Sequence, residues 1–188
     1  MNMKRSCGVL LPLFSLPSEH GIGTLGKAAY DFIDFLAAAG QSWWQLLPVG
    51  PAGSGDSPYN SFSSFAGNAY CIDLDMLVQD GLLTKEEISA VDWGNDEQSV
   101  DYEKLRAHRM PLLRKAARRG LEKDAEEFDS FCRDNASWLS DYALYMALKE
   151  HFGGASWTEW PEDIRLHRAE AVEKYRAELA SDVRFYSY

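Results

Sequence analysis

The apolar positions of the first fifty residues fall into three patterns in turn. Residues 7–16, CGVLLPLFSL, form a continuous apolar run of β-compatible side chains. Such a run predicts a strand buried on both faces. Residues 24–40 then switch to helical spacing. Leu25, Ala29, Phe32, Ile33 and Leu36 share one face, while Lys27, Asp31 and Asp34 lie elsewhere. Thr24 is placed to cap this helix and Gly40 to stop it. Residues 41–50, QSWWQLLPVG, return to an apolar run and predict a second buried strand. Strand, helix and strand of this size predict a right-handed unit with parallel strands. A long loop of small and polar residues, GPAGSGDSPYNSFSSFAGNAY, follows over residues 50–70. Loops of that length in compact units usually carry function.

Beyond residue 75 the pattern is helical throughout. Thr84 and Glu87 form a capping box that predicts a short helix. Residues 102–119 predict a helix rich in Arg and Lys. Residues 126–151 predict a long one, with Phe128, Phe131, Cys132, Leu139, Tyr142, Tyr145 and Leu148 at helical spacing. That aromatic stripe reads as the core of a helical bundle rather than a cofactor site. Pro161, at a first helical position, starts a last helix from about Glu162.

Composition sharpens this division. The first 75 residues hold nine of the 14 glycines and five of the seven prolines but only nine of the charged side chains. The chain has 188 residues and a formal net charge of −10, with 46% hydrophobic residues. It has enough apolar material for a real core, and its acidity argues against nucleic acid, which calls for a basic patch. A neutral or cationic ligand suits it better. Cys7, Cys71 and Cys132 are odd in number and widely spaced, which predicts reduced thiols in a cytoplasmic protein. The basic start and apolar run resemble a signal peptide, but Pro12 interrupts the run and no cleavage site follows. No stretch approaches the ~18 apolar residues of a membrane helix. The four histidines lack metal-ligand spacing, and no G-x-S-x-G nucleophile turn is present.

Gly21, Gly23 and Gly26 form a G-x-G-x-x-G that invites a dinucleotide reading. Three features oppose it. Residues 15–20 separate the first glycine from its strand. The end of the second strand, Leu46-Leu47-Pro48, lacks the acid that would hold a ribose. Glu19 adds a negative charge beside the loop. The glycines read instead as a tight turn with close helix–strand packing.

In a parallel unit the loops after both strands emerge at one end, where ligands bind. That end gathers Ser18, Glu19 and His20 with Asp56, Ser57, Tyr59 and Asn60, above Trp43 and Trp44. Hydroxyls, an amide, carboxylates and aromatic faces suit a neutral polyol. Glu19 and Asp56 could also be a glycosidase pair, or simply loop acids.

These loops resemble a known family. GVLLPLFSLPSEHGIGTLG and WWQLLPVGPAGSGDSPYNSFSSFAGN are similar to the start of the 4-α-glucanotransferases, or amylomaltases, and the helical remainder through VRFYSY resembles them more loosely. The resemblance implies an α/β fold: the N-terminal part of a (β/α)8 barrel, with its first two strands and first helix in residues 1–75, then a mostly helical insertion over 76–188. It implies retaining transfer of α-1,4-glucan between maltooligosaccharides or starch and acceptor sugars, through a carboxylate nucleophile and a glutamic acid acid/base, without metal or organic cofactor. Ser57 and Tyr59 match positions that contact bound glucan, and Asp56 and Pro58 shape their loop. Some members carry a tyrosine where this chain has Ser54, in a second, more distant glucan site. The family's catalytic carboxylates match nothing up to Tyr188. The expectation is therefore an N-terminal piece, inactive alone, whose partner is the remainder of the same polypeptide. The alternative is a non-catalytic glucan-binding or interaction module complete at this length.

Overall fold

The structure is a computed structural model that describes residues 5–53, 55–94, 96 and 99–188. It divides into two compact units, residues 1–116 and 117–188. The division falls within the charged helical stretch, whereas the change in composition lies near Asp75.

In the first unit, β1 (Gly8–Leu10) pairs in parallel with β2 (Trp43–Gln45), and α1 (Lys27–Ala38) connects them. Gly8 stands opposite Trp43, Val9 opposite Trp44 and Leu10 opposite Gln45. The predicted parallel unit is present, but its strands are shorter than the apolar runs. Pro12, at φ −60°, has no N–H for the ladder. The chain turns there into a 3-10 helix, Leu13–Ser15, and Leu13 and Leu16 enter the core instead of extending the strand. Burial on both faces is also corrected. Val9 and Trp44 are half-buried, whereas Leu10 and Trp43, on the other face, are exposed. Trp44 meets Phe32 of α1 edge-on, with centroids 5.0 Å apart. The helix therefore covers one face of this two-stranded sheet.

α1 starts later than its spacing suggests. Its N-cap is Gly26, and Thr24 lies buried outside it, donating its hydroxyl to Asp73 Oδ2. Ala29 and Leu36 are buried, but Leu25 and Ile33 of the predicted face are exposed. Gly40, at φ +69°, ends the helix as expected.

Asp73 caps α2 (Leu74–Gln79) by accepting from Met76 N. The capping box at Thr84 and Glu87 opens α3 (Lys85–Ser89) with both reciprocal bonds formed. α4 (Tyr102–Lys123) is long and contains Pro111. Its Leu105, Arg109, Leu112, Leu113 and Ala116 are buried, so a cation sits in the middle of an apolar stripe.

In the second unit the single helix predicted over 126–151 is two, α5 (Ala125–Asp134) and α6 (Leu139–His151). Asn135 makes the break. Its amide donates to Phe131 O, and its carbonyl oxygen accepts from Trp138 Nε1, so one side chain satisfies groups on both sides of the corner. The last helix is three: α7 (Glu162–Arg165), α8 (Ala169–Glu178) and α9 (Ala180–Ser187). Pro161 is the N-cap of α7, and His167, at φ 54°, turns the chain between α7 and α8. A helical core is present, in which Leu144, Leu148, Trp160, Ile164, Tyr175 and Leu179 pack together; of the predicted stripe Phe128, Leu139 and Leu148 are buried, whereas Phe131 is 44% exposed. Among the described residues no helix is long and apolar enough to cross a membrane.

Candidate functional site

The described residues of the 50–70 stretch have almost no regular structure, yet their backbone is tied down. Ala52 and Ser61 form an isolated antiparallel bridge, and Gly53 N donates to Asn60 O at 2.7 Å. Asn60 N donates to Ser57 O, closing a turn over Ser57–Asn60. Ser61 donates to Ser63 O, and the Ser63 hydroxyl accepts from Phe65 N and Ala66 N. The serines thus supply the bonds that a helix or sheet would otherwise provide. At the end of the loop Asn68 N donates to Val49 O, so both ends return to one place.

This turn presents Tyr59 at 73% exposure, with Ser57 half-buried beside it. The Ser57 hydroxyl accepts weakly from Tyr59 N, at 3.4 Å. Asp56 has a different environment. It sits at φ 54°, a conformation Asp tolerates better than most side chains. Both its carboxylate oxygens accept from Arg106 Nη1 of α4, at 3.0 and 2.8 Å. This bond holds the Arg106 guanidinium above its ordinary pKa. Tyr70 and Tyr102 lie in the same field. Burial raises both phenols, and the Asp56 charge raises them further, with Arg106 opposing it at Tyr70. Asp56 therefore ties the loop to α4, while Tyr59 is open to solvent. Ser54 lies outside the described residues.

The loop after β1 is held by a second arginine. Arg109 is fully buried and donates through Nη1 to His20 O and through Nη2 to Ile72 O. Its pKa falls to about 10, chiefly through desolvation, with Asp73 opposing the shift. His20 Nε2 lies 3.2 Å from Asp75 Oδ2, and its ring meets Trp93 edge-on at 6.0 Å. Cys71, also buried, has its thiol pushed up to about 11 by burial, which keeps it protonated.

The G-x-G-x-x-G is part of this packing. Gly21 adopts φ +80°, and a Cβ at Gly23 would stand 2.2 Å from Leu13 O. A Cβ at Gly26 would fall on the Asp73 carboxylate. The motif's open space is thus filled by the protein's own backbone and by an acid, which leaves no cradle for a pyrophosphate.

An open cleft of about 1070 Å³ is lined by Ser18, Glu19, Asp73, Asp75 and Trp93, among others. Ser57, Tyr59 and Asp56 are not among its lining residues. The two loops are therefore joined through α4 rather than by sharing this cleft. Among the described residues no cluster of three or more His, Cys, Asp or Glu could hold a metal ion. Sequence reasoning missed Arg106, Arg109 and Trp93. The available signal was Arg109, a charge in register with Leu105, Leu112 and Leu113 on the apolar stripe of α4.

Comparison with known proteins gives a consistent picture. The sequence profile described as 4-alpha-glucanotransferase matches residues 11–188. A 4-alpha-glucanotransferase of Streptococcus pneumoniae is 51% identical over 179 residues, which cover 94% of this chain and 35% of that protein. One from Clostridium butyricum is 46% identical, over 93% of this chain and 36% of that protein. An amylomaltase from Streptococcus agalactiae, solved in complex with acarbose, matches with a TM-score of 0.93 and 38% identity, over 98% of this chain and 38% of that one. The chain spans about a third of the length of the curated relatives it matches.

Proposed function

The chain belongs to the 4-alpha-glucanotransferase family, and we propose that it forms the start of a (β/α)8 barrel that supplies glucan-binding loops for transfer of α-1,4-linked glucan between maltooligosaccharides. The observation that carries this reading is the tied loop of residues 50–70, which holds an exposed Tyr59 beside Ser57 on a turn braced by Arg106. A tyrosine ring offers a face for the C–H side of a sugar, and the two hydroxyls offer donors and acceptors for its rim. Residues 76–188 are the helical insertion.

In the proposed reaction the donor's C1–O4 bond breaks and its O4 takes a proton from the acid/base. The glucan rests on a carboxylate until an acceptor hydroxyl gives up a proton and forms a new bond to C1, with retention. One α-1,4 bond replaces another, and no cofactor takes part. Asp56 is a poor candidate for that nucleophile, since both its oxygens are engaged by Arg106. Glu19 is an exposed loop acid. The catalytic carboxylates are assigned to the remainder of the polypeptide. The exposed Leu10, Phe35 and Trp43 support such a partner over a module complete at this length.

The test combines turnover with binding. The purified 188-residue chain should release no glucose from maltotriose. It should bind maltoheptaose with Tyr59 perturbed in NMR spectra, and Tyr59→Ala should weaken that binding about tenfold, the order of one stacking contact. Glucose release by the chain alone would overturn the assignment of catalysis elsewhere. Unchanged binding in Tyr59→Ala would overturn the loop's role.

A further inference from the structure

We propose that Arg106 and Arg109 of α4 are positioning residues, a double clasp that sets the two rim loops relative to each other. This rests on the reading of Ser57 and Tyr59 as glucan contacts, but its first measurement needs no sugar.

The two arginines are one helical turn apart, so they project from neighbouring parts of one helix surface. Arg106 reaches Asp56 across 50 residues of sequence, and Arg109 reaches the carbonyls of His20 and Ile72 across 89 and 37. Each loop is thereby referred to the same rigid element. The second link is the deeper one. Arg109 is fully buried, and its Nε has no hydrogen-bond partner among the described residues. Desolvating a guanidinium there is unfavourable, and an apolar side chain would suit the stripe of Leu105 and Leu112 better. What an apolar residue could not do is donate to two backbone carbonyls from segments that follow different strands. The planar fork of arginine does this, and a lysine ammonium is poorly shaped for it.

The first link is built for direction. Asp56 occupies a left-handed backbone position immediately before the turn of Ser57–Asn60. Both its oxygens bond one guanidinium nitrogen, a charge-assisted contact that holds the start of that turn against α4. Rigid placement of binding groups raises affinity by lowering the ordering that binding requires.

Amide hydrogen exchange on the full 188-residue chain tests the clasp. Arg106→Met and Asp56→Asn, which keeps a side chain tolerant of the left-handed position, should each raise exchange over residues 55–63 about tenfold. The double variant should do no more than either single one, because both remove one link. Arg106→Lys should restore part of the protection. Arg109→Lys, chosen to retain the charge, should loosen residues 19–21 and leave 55–63 unchanged. Maltoheptaose binding should weaken in Arg106→Met and recover partly in Arg106→Lys. Unchanged exchange in both single variants, multiplying effects in the double, or loosening at the wrong loop would overturn the clasp. If exchange behaves as expected while wild-type chain gives no maltoheptaose response, the clasp stands and the glucan reading falls.

Discussion

In the second unit Leu144, Leu148, Trp160 and Tyr175 bury one another between short helices, and aromatic rings fill the corners. In the first, Leu10, Phe35 and Trp43 stay exposed at 55%, 62% and 67%, while a charged arginine is fully buried. Both units leave some large apolar side chains exposed, Trp157 and Leu166 of the second at 52% and 58% among them, so the difference lies in the buried cation and in the sheet that α1 covers on one face only. The second unit is organised to cohere, and polar side chains link its helices, as Arg176 does to Ser140 and Tyr186 to Glu150. The first is organised to place two loops, and it accepts a buried cation and a half-covered sheet to do so. A region's function is legible in which rule of burial it breaks.

The largest effect expected from this contrast lies in the second unit. Leu144 is 2% exposed, and Leu144→Ala should lower stability by about 2–5 kcal/mol, read from urea unfolding. A loss under about 1 kcal/mol would show that this core is loosely packed and would remove the contrast.

The next effect arises in the first unit for the opposite reason. Gly23→Ala adds a methyl where Leu13 O would stand at 2.2 Å and Leu16 O at 2.8 Å. Those neighbours are backbone and cannot swing aside. The expected loss is about 3 kcal/mol by overpacking, with the loop at residues 17–21 losing exchange protection. A neutral Gly23→Ala would mean that the knot around the G-x-G-x-x-G is slack, and the packing account of the motif would fail.

These sites differ in how far the sequence alone reveals them. The parallel unit, the stop at Gly40 and the capping box at Thr84 were legible because each depends on residues a few positions apart. The corner at Asn135 was not, since the aromatic spacing carries on past it and only the side-chain bonds to Phe131 and Trp138 show the break. Strand length was overread because an apolar run does not say whether its residues enter a ladder or a core, and Pro12 decided that. Thr24 has the chemistry of a cap, but Asp73, 49 residues away, takes its hydroxyl. At the candidate site loop composition singled out Tyr59 as a candidate, whereas nothing in it pointed to the Asp56–Arg106 pair. Among 48 charged residues nothing local marks which acid meets which base.

The smallest expected effect is the most pointed. In a well-packed protein, replacing a large aromatic residue by serine is severe, because it empties a cavity and buries a hydroxyl. Phe35 and Trp43 have little to lose on that account. Each lies mostly in water, so Phe35→Ser or Trp43→Ser should shift stability by less than about 0.5 kcal/mol. Trp43 gives up only a hydrogen bond from Nε1 to Ser6, at 2.9 Å, on the exposed side. Both variants should bind less of a hydrophobic dye and stay soluble at higher concentration than the parent chain, because they remove exposed apolar surface. A loss above about 2 kcal/mol from either would mean that these rings are covered in solution, and the first unit would then close its own core as the second does. A near-zero loss with reduced dye binding would leave one reason for two large aromatics at these positions, which is contact with something other than the residues of this chain.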